Sequence, residues 1–180
     1  MKTPEVRVLA GRWKGRRLDA GPGARPTSSR ARAALFDILG ERVVGAGVLD
    51  LCAGSGAVGI EAVSRGARGA VLVEPNASGL LAAVRRLDAA SKVRVLAEDV
   101  RSAVRRLVRE GDRFRLIFAD PPYTAPLDRD LLAAIPGLLE PAGRFVLQQD
   151  EKTAAPEVPG LGLDQRRAYG RNVFLFFGMR

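Results

Sequence analysis

Asp120-Pro121-Pro122-Tyr123 follows the apolar run Leu116-Ile-Phe-Ala119 and is the tetrad in this chain best suited to chemistry. Its two prolines remove two backbone donors and fix φ, which stiffens the turn and leaves carbonyl oxygens free. The Asp120 carboxylate and the Pro121 carbonyl then form a pair of acceptors, suited to an exocyclic amine with two N–H groups in the plane of a nucleobase. That amine's lone pair is delocalised into the ring, and two acceptors favour the pyramidal nitrogen that frees it for attack on a methyl group. Tyr123 is placed to stack on the extruded base. Displacement at a sulfonium methyl needs in-line positioning more than an imidazole base, so the absence of histidine from the chain is no obstacle. The plainer reading of the tetrad is a proline turn with a capping Asp and a packing Tyr.

A partner for this chemistry is encoded upstream. Val48-Leu-Asp-Leu-Cys-Ala-Gly-Ser-Gly-Ala-Val-Gly59 reads as a strand, a glycine turn and a helix start. Gly54 and Gly56 permit positive φ and close approach to a ligand, and the helix start presents unpaired N–H groups. Gly54-x-Gly56-x-x-Gly59 also spells a dinucleotide fingerprint, with Glu74 twenty residues beyond Gly54. Charge favours S-adenosylmethionine over a nicotinamide dinucleotide: Asp50 repels a pyrophosphate but attracts a methionyl ammonium. Glu74 suits two ribose hydroxyls. Asp99, followed by Val100 after the next strand, suits an adenine amino group or caps a helix. Cys52 and Ala53 complete this cofactor loop, with Cys52 read as packing rather than as a nucleophile.

With 180 residues, 47% hydrophobic and 27% charged, the chain is long enough for one domain and its composition is globular. Its single cysteine excludes an internal disulfide, and the lack of histidine removes most zinc sites, so no metal is expected. The start of the chain has no apolar leader segment and no run long enough to span a membrane, so a soluble cytoplasmic protein is expected. The net charge of +9 is uneven: residues 1–42 hold ten Lys or Arg against four Asp or Glu. A polyanionic partner is expected at that end.

From Val43 onward, strand-like runs alternate with helical patterns, the order of an α/β parallel sheet. Strands are expected at 48–51, 70–74, 93–97, 116–119 and 144–148, with helices at 57–64, 77–89, 101–110 and 127–139. Runs at 163–168 and 172–177 close the sheet as an antiparallel hairpin around Tyr169-Gly170-Arg171. Before Val43 the pattern predicts a small hairpin, 7–10 with 16–18, and a helix over 28–39 with Thr27 as its N-cap. Residues 1–42 are expected to form an RNA-binding extension and residues 43–180 the catalytic domain. Arg12, Lys14, Arg16 and Arg17 surround Trp13, which suits phosphate contacts with an aromatic platform. A solvated basic hairpin with Trp13 packed inward is the alternative. Arg30 reaches a phosphate or decorates the outer face of its helix.

Together these residues resemble the bacterial RsmD-type small-subunit ribosomal RNA guanine-N2 methyltransferases. The resemblance is carried by Asp50-Leu-Cys-Ala-Gly-Ser-Gly, Asp120-Pro-Pro-Tyr, Arg7-Val-Leu-Ala-Gly-Arg-Trp-Lys-Gly-Arg-Arg-Leu18 and Arg25-Pro-Thr27 leading into Arg30-Ala-Arg-Ala-Ala-Leu-Phe36. It spans about Arg7 to the Tyr169 hairpin. Family members more often carry Gly-Gly where Ala10-Gly11 stands here, and Phe as often as Tyr at 123. The resemblance implies a Rossmann-like class I methyltransferase fold with a seven-stranded, mostly parallel sheet. It also implies S-adenosylmethionine as cofactor, Thr27 and Arg30 in the RNA-binding set, a monomer, and one guanine of 16S rRNA as target within the small ribosomal subunit. A related DNA amino-methyltransferase, a dinucleotide-dependent oxidoreductase and a non-catalytic RNA-binding assembly factor are the competing readings.

Overall fold

A computed structural model of the chain describes residues 6–19, 27–122 and 124–180, so Tyr123 and the Arg25-Pro26 pair lie outside the described residues. A two-stranded hairpin opens it, β1 (Val6–Arg7) with β2 (Arg17–Leu18), followed by α1 (Ser29–Leu39). The alternating part then runs β3 (Gly47–Asp50), α2 (Ala57–Ser64), β4 (Gly69–Val73), α3 (Ser78–Arg86), β5 (Val93–Leu96), α4 (Val100–Glu110), β6 (Phe114–Ala119), α5 (Arg129–Ala134) and β7 (Leu139–Asp150). An antiparallel hairpin, β8 (Leu161–Tyr169) and β9 (Asn172–Met179), ends it.

The strands form a seven-stranded sheet in the order β5-β4-β3-β6-β7-β9-β8, parallel from β5 to β7 and antiparallel at β9 and β8. Side chains alternate between its faces. Val48, Leu116 and Phe118 join one core with α1, α2 and α3. Leu49, Ile117 and Ala119 join the other with α4 and α5. This is the seven-stranded, mostly parallel α/β sheet with a closing hairpin that the resemblance implied. Connections leave β3 toward β4 and return to β6 on its other side, so β3 and β6 flank the switch point at which open α/β sheets bind ligands.

Several expected elements differ: the first strand of the opening hairpin covers Val6–Arg7 rather than 7–10, and the helix expected over 77–89 ends at Arg86. The helix expected over 127–139 ends at Ala134 and tightens into a 3-10 turn, Ile135–Leu138. Pro136 has no N–H to continue an α-helix. β7 therefore starts at Leu139 rather than 144. The N-cap of α1 is Ser28, whose Oγ accepts from the Ala31 amide at 3.2 Å, and not Thr27.

The opening hairpin is fastened to α2 by buried polar groups. Glu61 is 0% exposed on an otherwise apolar helix. Its carboxylate accepts from the amides of Leu9 (2.7 Å) and Ala10 (2.9 Å) and from Arg65 Nε (2.8 Å), while Arg32 Nε lies at 3.8 Å. Arg32, 1% exposed, also donates to the Arg7 carbonyl. Ser64 Oγ accepts from the Trp13 amide at 2.9 Å and donates to the Ala10 carbonyl at 2.6 Å. A Cβ at Gly11, φ +78°, would stand 1.8 Å from the Ser64 carbonyl oxygen, so this close approach requires glycine. The hairpin side chains Val6, Val8, Trp13 and Leu18 lie in the same core as α1 and the sheet.

Candidate active site at the switch point

Asp50 ends β3, the strand between β4 and β6, and is 1% exposed. Its Oδ2 accepts from the Gly59 amide at 3.2 Å, and its buried Oδ1 makes no well-formed hydrogen bond among the described residues. Burial pushes the Asp50 carboxyl up to about 7 against the downward pull of the Gly59 and Cys52 amides, and the nearby Asp120 and Glu74 charges push the same way as burial. A buried carboxylate with an unmatched oxygen is costly unless a donor arrives.

The loop after β3 is held on both sides, by the Leu51 amide on the Phe118 carbonyl (2.9 Å) and the Ala53 amide on the Val73 carbonyl (3.0 Å). Gly54 and Gly56 have the expected positive φ, +53° and +76°. A Cβ at Gly54 would meet only open space, the side left to a ligand. At Gly59 it would strike Leu72 at 2.0 Å, so that glycine serves close packing of α2 on β4. Glu74 reaches back over the loop, its Oε2 accepting from the Gly54 amide (2.9 Å) and its Oε1 from Asn76 (3.0 Å). Each oxygen keeps acceptor capacity.

Asp99 caps α4: its oxygens accept from the Ser102 amide (3.0 Å) and hydroxyl (2.7 Å), which pulls its carboxyl below the usual range. Val100, expected at the cofactor, packs half-buried against the core of the α4 face. Cys52 packs against the same core. Burial first, then the surrounding carboxylates, push its thiol up to about 12, so it stays neutral.

Asp120 follows β6, next to β3 in the sheet, where Asp50 pairs with Phe118. Burial pushes its carboxyl up to about 7, opposed by a hydroxyl donor. That donor is Thr27, whose single hydroxyl proton is shared between Asp120 Oδ2 at 3.3 Å and Gln148 Oε1 at 3.0 Å. Pro122 lends its carbonyl to the Ala125 amide at 2.9 Å, whereas no described residue's amide donates to the Pro121 carbonyl. One edge of the sheet thus gathers Asp50, the glycine loop, Glu74, Asp120 and Pro121. A cationic, hydroxyl-rich ligand satisfies the open oxygens, while a pyrophosphate would meet three carboxylates.

The chain matches, over residues 6–178, the model of the family described as Conserved hypothetical protein 95. It is 37% identical to Ribosomal RNA small subunit methyltransferase D of Escherichia coli K12 over 165 residues, covering 86% of this chain and 80% of that protein. The chain belongs to this RsmD-type family. A hypothetical protein of Thermus thermophilus, 37% identical, superposes with a TM-score of 0.83 over 95% of this chain and 98% of that one. The T. thermophilus 16S rRNA N2 G1207 methyltransferase, solved with AdoMet and guanosine, shares the fold at 24% identity with a TM-score of 0.69 over 99% of this chain and 50% of that one. The cofactor of the family is S-adenosylmethionine, and the orphaned Asp50 oxygen, the open face of Gly54 and the spare acceptor capacity of Glu74 fit it.

The expected RNA-binding residues separate in space. Arg12, Lys14, Arg16, Arg17 and Arg30 are exposed. Trp13 is 6% exposed and offers no stacking platform, because its ring belongs to the core; Arg12 lies 5.7 Å from the ring centroid. Arg12 and Trp13 are tied to Ser64, at the end of α2 away from the glycine loop. Eight residues of helix, about 12 Å, lie between. Thr27 is buried against Asp120 rather than presented on a basic surface. Gln148, Glu61, Ser64 and Arg32 escaped the sequence reading. The available signals were a lone charge within the apolar run Ala57–Ser64 and a glutamine at the ligand end of an apolar strand.

Proposed function

We propose that the chain transfers the methyl group of S-adenosylmethionine to the exocyclic N2 amine of a guanine in small-subunit ribosomal RNA. The observation that carries the reading is the neighbourhood of Asp120, of the Pro121 carbonyl, which no amide of the described residues engages, and of the half-satisfied Asp50 at the switch point. Guanine N2 is the target implied by the family motifs, and the small ribosomal subunit is the setting implied by the E. coli relative's name.

When bound, S-adenosylmethionine supplies a methyl carbon made electrophilic by its sulfonium. Asp50 holds the cationic amino-acid end, the glycine loop with Cys52 and Ala53 lines the cofactor, and Glu74 accepts from the ribose hydroxyls. Asp99, beyond its capping bonds, retains lone pairs for the adenine amine. Asp120 and the Pro121 carbonyl accept the two N–H groups of the target amine, so its lone pair points out of the ring plane. As the nitrogen gains positive charge, the Asp120 carboxylate stabilises it and accepts a proton. Pro122 stiffens the turn, and Tyr123 stacks on the base. Arg12, Lys14, Arg16, Arg17 and Arg30 contact phosphates. The protein acts as a monomer in the cytoplasm, and no described helix is long and apolar enough to cross a membrane.

The test uses small subunits lacking the modification, incubated with labelled S-adenosylmethionine and digested to nucleosides. Label in N2-methylguanosine is expected; label confined to another base, or none, refutes the reading. Asp120→Ala should keep the cofactor and lose roughly 10²- to 10³-fold in single-turnover transfer, with Asp120→Asn in between. Transfer by Asp120→Ala at the wild-type rate would make the tetrad a structural turn.

A further inference from the structure

The tip of the N-terminal hairpin lies at the far end of α2, so the RNA next to the target base needs another surface closer to Asp120. A groove of about 570 Å³ runs between α1 and the edge strand β8, on the sheet face that carries α1. Four arginines and a single carboxylate, Asp164, line it. Small-molecule pockets are lined mainly by apolar groups. Arg42, Arg144 and Arg167 face this groove, whereas Arg166, paired with Leu175, belongs to the opposite sheet face and donates to the Glu151 carbonyl; guanidinium groups match phosphates in geometry as well as in charge.

Register places the Arg167 end of the groove level with the reaction site, while Arg144, four residues before Gln148 on β7, and the end of α1 mark its far end, about 13 Å away. Arg167 on β8 pairs with Phe174 on β9, and Phe174 pairs with Gln148 on β7, so Arg167 is level with Gln148. Two strand spacings, about 10 Å, separate them. Gln148 touches Thr27, and Thr27 touches Asp120. α1 runs alongside from Ser29 near this point to Leu39, about 16 Å, and ends beside Arg42. The groove therefore leads away from the acceptor turn along a path suited to the strand flanking an extruded base.

Its guanidinium groups are held in place while keeping open donors. Arg144 is half-buried, with Nε 3.5 Å from Asp164 Oδ2 and Nη1 3.2 Å from the Gly143 carbonyl. Five N–H donors leave it several to spare. With the Gln165 amide turned so that its oxygen faces Arg167, that oxygen accepts from Arg167 Nη2 (2.6 Å) and Nε (2.9 Å). Arg42 is exposed and forms no ion pair among the described residues. At the upper end, half-buried Tyr169 packs on Phe174 with ring centroids 5.7 Å apart, which adds an aromatic face beside the cations.

We propose that the α1–β8 groove holds the sugar-phosphate backbone of the RNA strand adjoining the target base, with Arg42, Arg144 and Arg167 contacting phosphates. This rests on the reading of the protein as an RNA methyltransferase and adds where the substrate strand lies.

The test compares wild type with Arg42→Ala/Arg167→Ala and Arg42→Glu/Arg167→Glu, measuring affinity for protein-free 16S rRNA and for assembled small subunits over a series of salt concentrations. The alanine pair should lose roughly tenfold in affinity for both, flatten the log–log salt slope by roughly 0.7 to 0.9 per lost contact, and the glutamate pair should lose more. S-adenosylmethionine affinity and the thermal midpoint should keep their wild-type values. Unchanged affinity and slope overturn the proposal. Loss on assembled subunits alone also overturns it, because the groove would then meet a protein. A check without mutation is protection of Arg42, Arg144 and Arg167 from phenylglyoxal by rRNA in the wild-type protein; no protection is again a refutation. Absence of methyl transfer by wild type defeats the functional reading itself, whereas methylation with wild-type RNA affinity in both variants defeats the groove alone.

Discussion

Glu61 and Asp50 lie eleven residues apart on one strand–loop–helix unit, at 0% and 1% exposure. Glu61 accepts from two backbone amides and Arg65, with Arg32 beside it. Asp50 accepts from the Gly59 amide and leaves one buried oxygen without a well-formed hydrogen bond among the described residues. Burial alone therefore does not distinguish a structural carboxylate from a ligand site; at Asp50 the unpartnered oxygen is joined by the open face of the glycine loop. At Glu61 both carboxylate oxygens find donors and clamp the N-terminal hairpin to α2, with Arg32 Nε left 3.8 Å away without a hydrogen bond of its own. At Asp50 the chain withholds one donor, and a cationic ligand completes the site.

The sharpest way to break this contrast is Glu61→Ala. It strands Arg32 without its counter-charge and should cost about 3–5 kcal/mol in urea unfolding. A near-neutral result would show that the clamp is dispensable. Asp50→Asn should do the reverse, leaving the cofactor-free fold at least as stable at pH 8 while weakening S-adenosylmethionine by about 1.5–3 kcal/mol in calorimetry, the worth of a hydrogen bond to a charged group. Equal affinity would place the ammonium elsewhere.

The two acceptor carboxyls also predict a pH signature. Asp50 and Asp120 move from an ordinary 3.8 to about 7 in the folded chain, so the folded state holds more protons between those values. Their contribution to stability is full below pH 3.8 and is lost as pH rises through about 7. The cofactor-free protein should accordingly melt at a higher temperature at about pH 5.5 than at about pH 8, and Asp50→Asn should flatten the difference. Cofactor affinity should run the opposite way, rising with pH through about 7, because only ionised Asp50 holds the ammonium. A pH-independent affinity across that range would contradict the assignment.

The smallest effect is expected at Thr27→Val, which removes the hydroxyl that opposes the upward push on Asp120. Transfer at neutral pH should fall by about two- to tenfold, the equivalent of one neutral hydrogen bond. The pH–rate profile should shift to higher pH, with transfer recovering in alkaline buffer. A uniform loss at every pH would assign Thr27 a packing role only.

Features built from neighbours along the chain were legible in the sequence itself. The glycine turn, the helix over 57–64 and the strands of the parallel sheet are set by local pattern: apolar runs, positive-φ glycines and the spacing of acids after strands. The closing hairpin followed from two strand-like runs around a Gly170 turn. Even the misread helix over 127–139 carried its correction in Pro136.

Contacts between distant segments were not legible. Thr27 meets Asp120 across 93 positions and Gln148 across 121, and Glu61 meets Leu9 across 52. No pattern within a window of ten or twenty residues encodes such pairings. Between the two readings of Trp13 left open by the sequence, packing chose the inward one, drawing its ring into the core. Residue types and their local spacing determined which chemistry this chain can offer and which edge of the sheet offers it. Tertiary packing alone decided which buried charges are satisfied and which wait for a ligand, because a hydrogen-bond partner is defined by position in space and not along the chain.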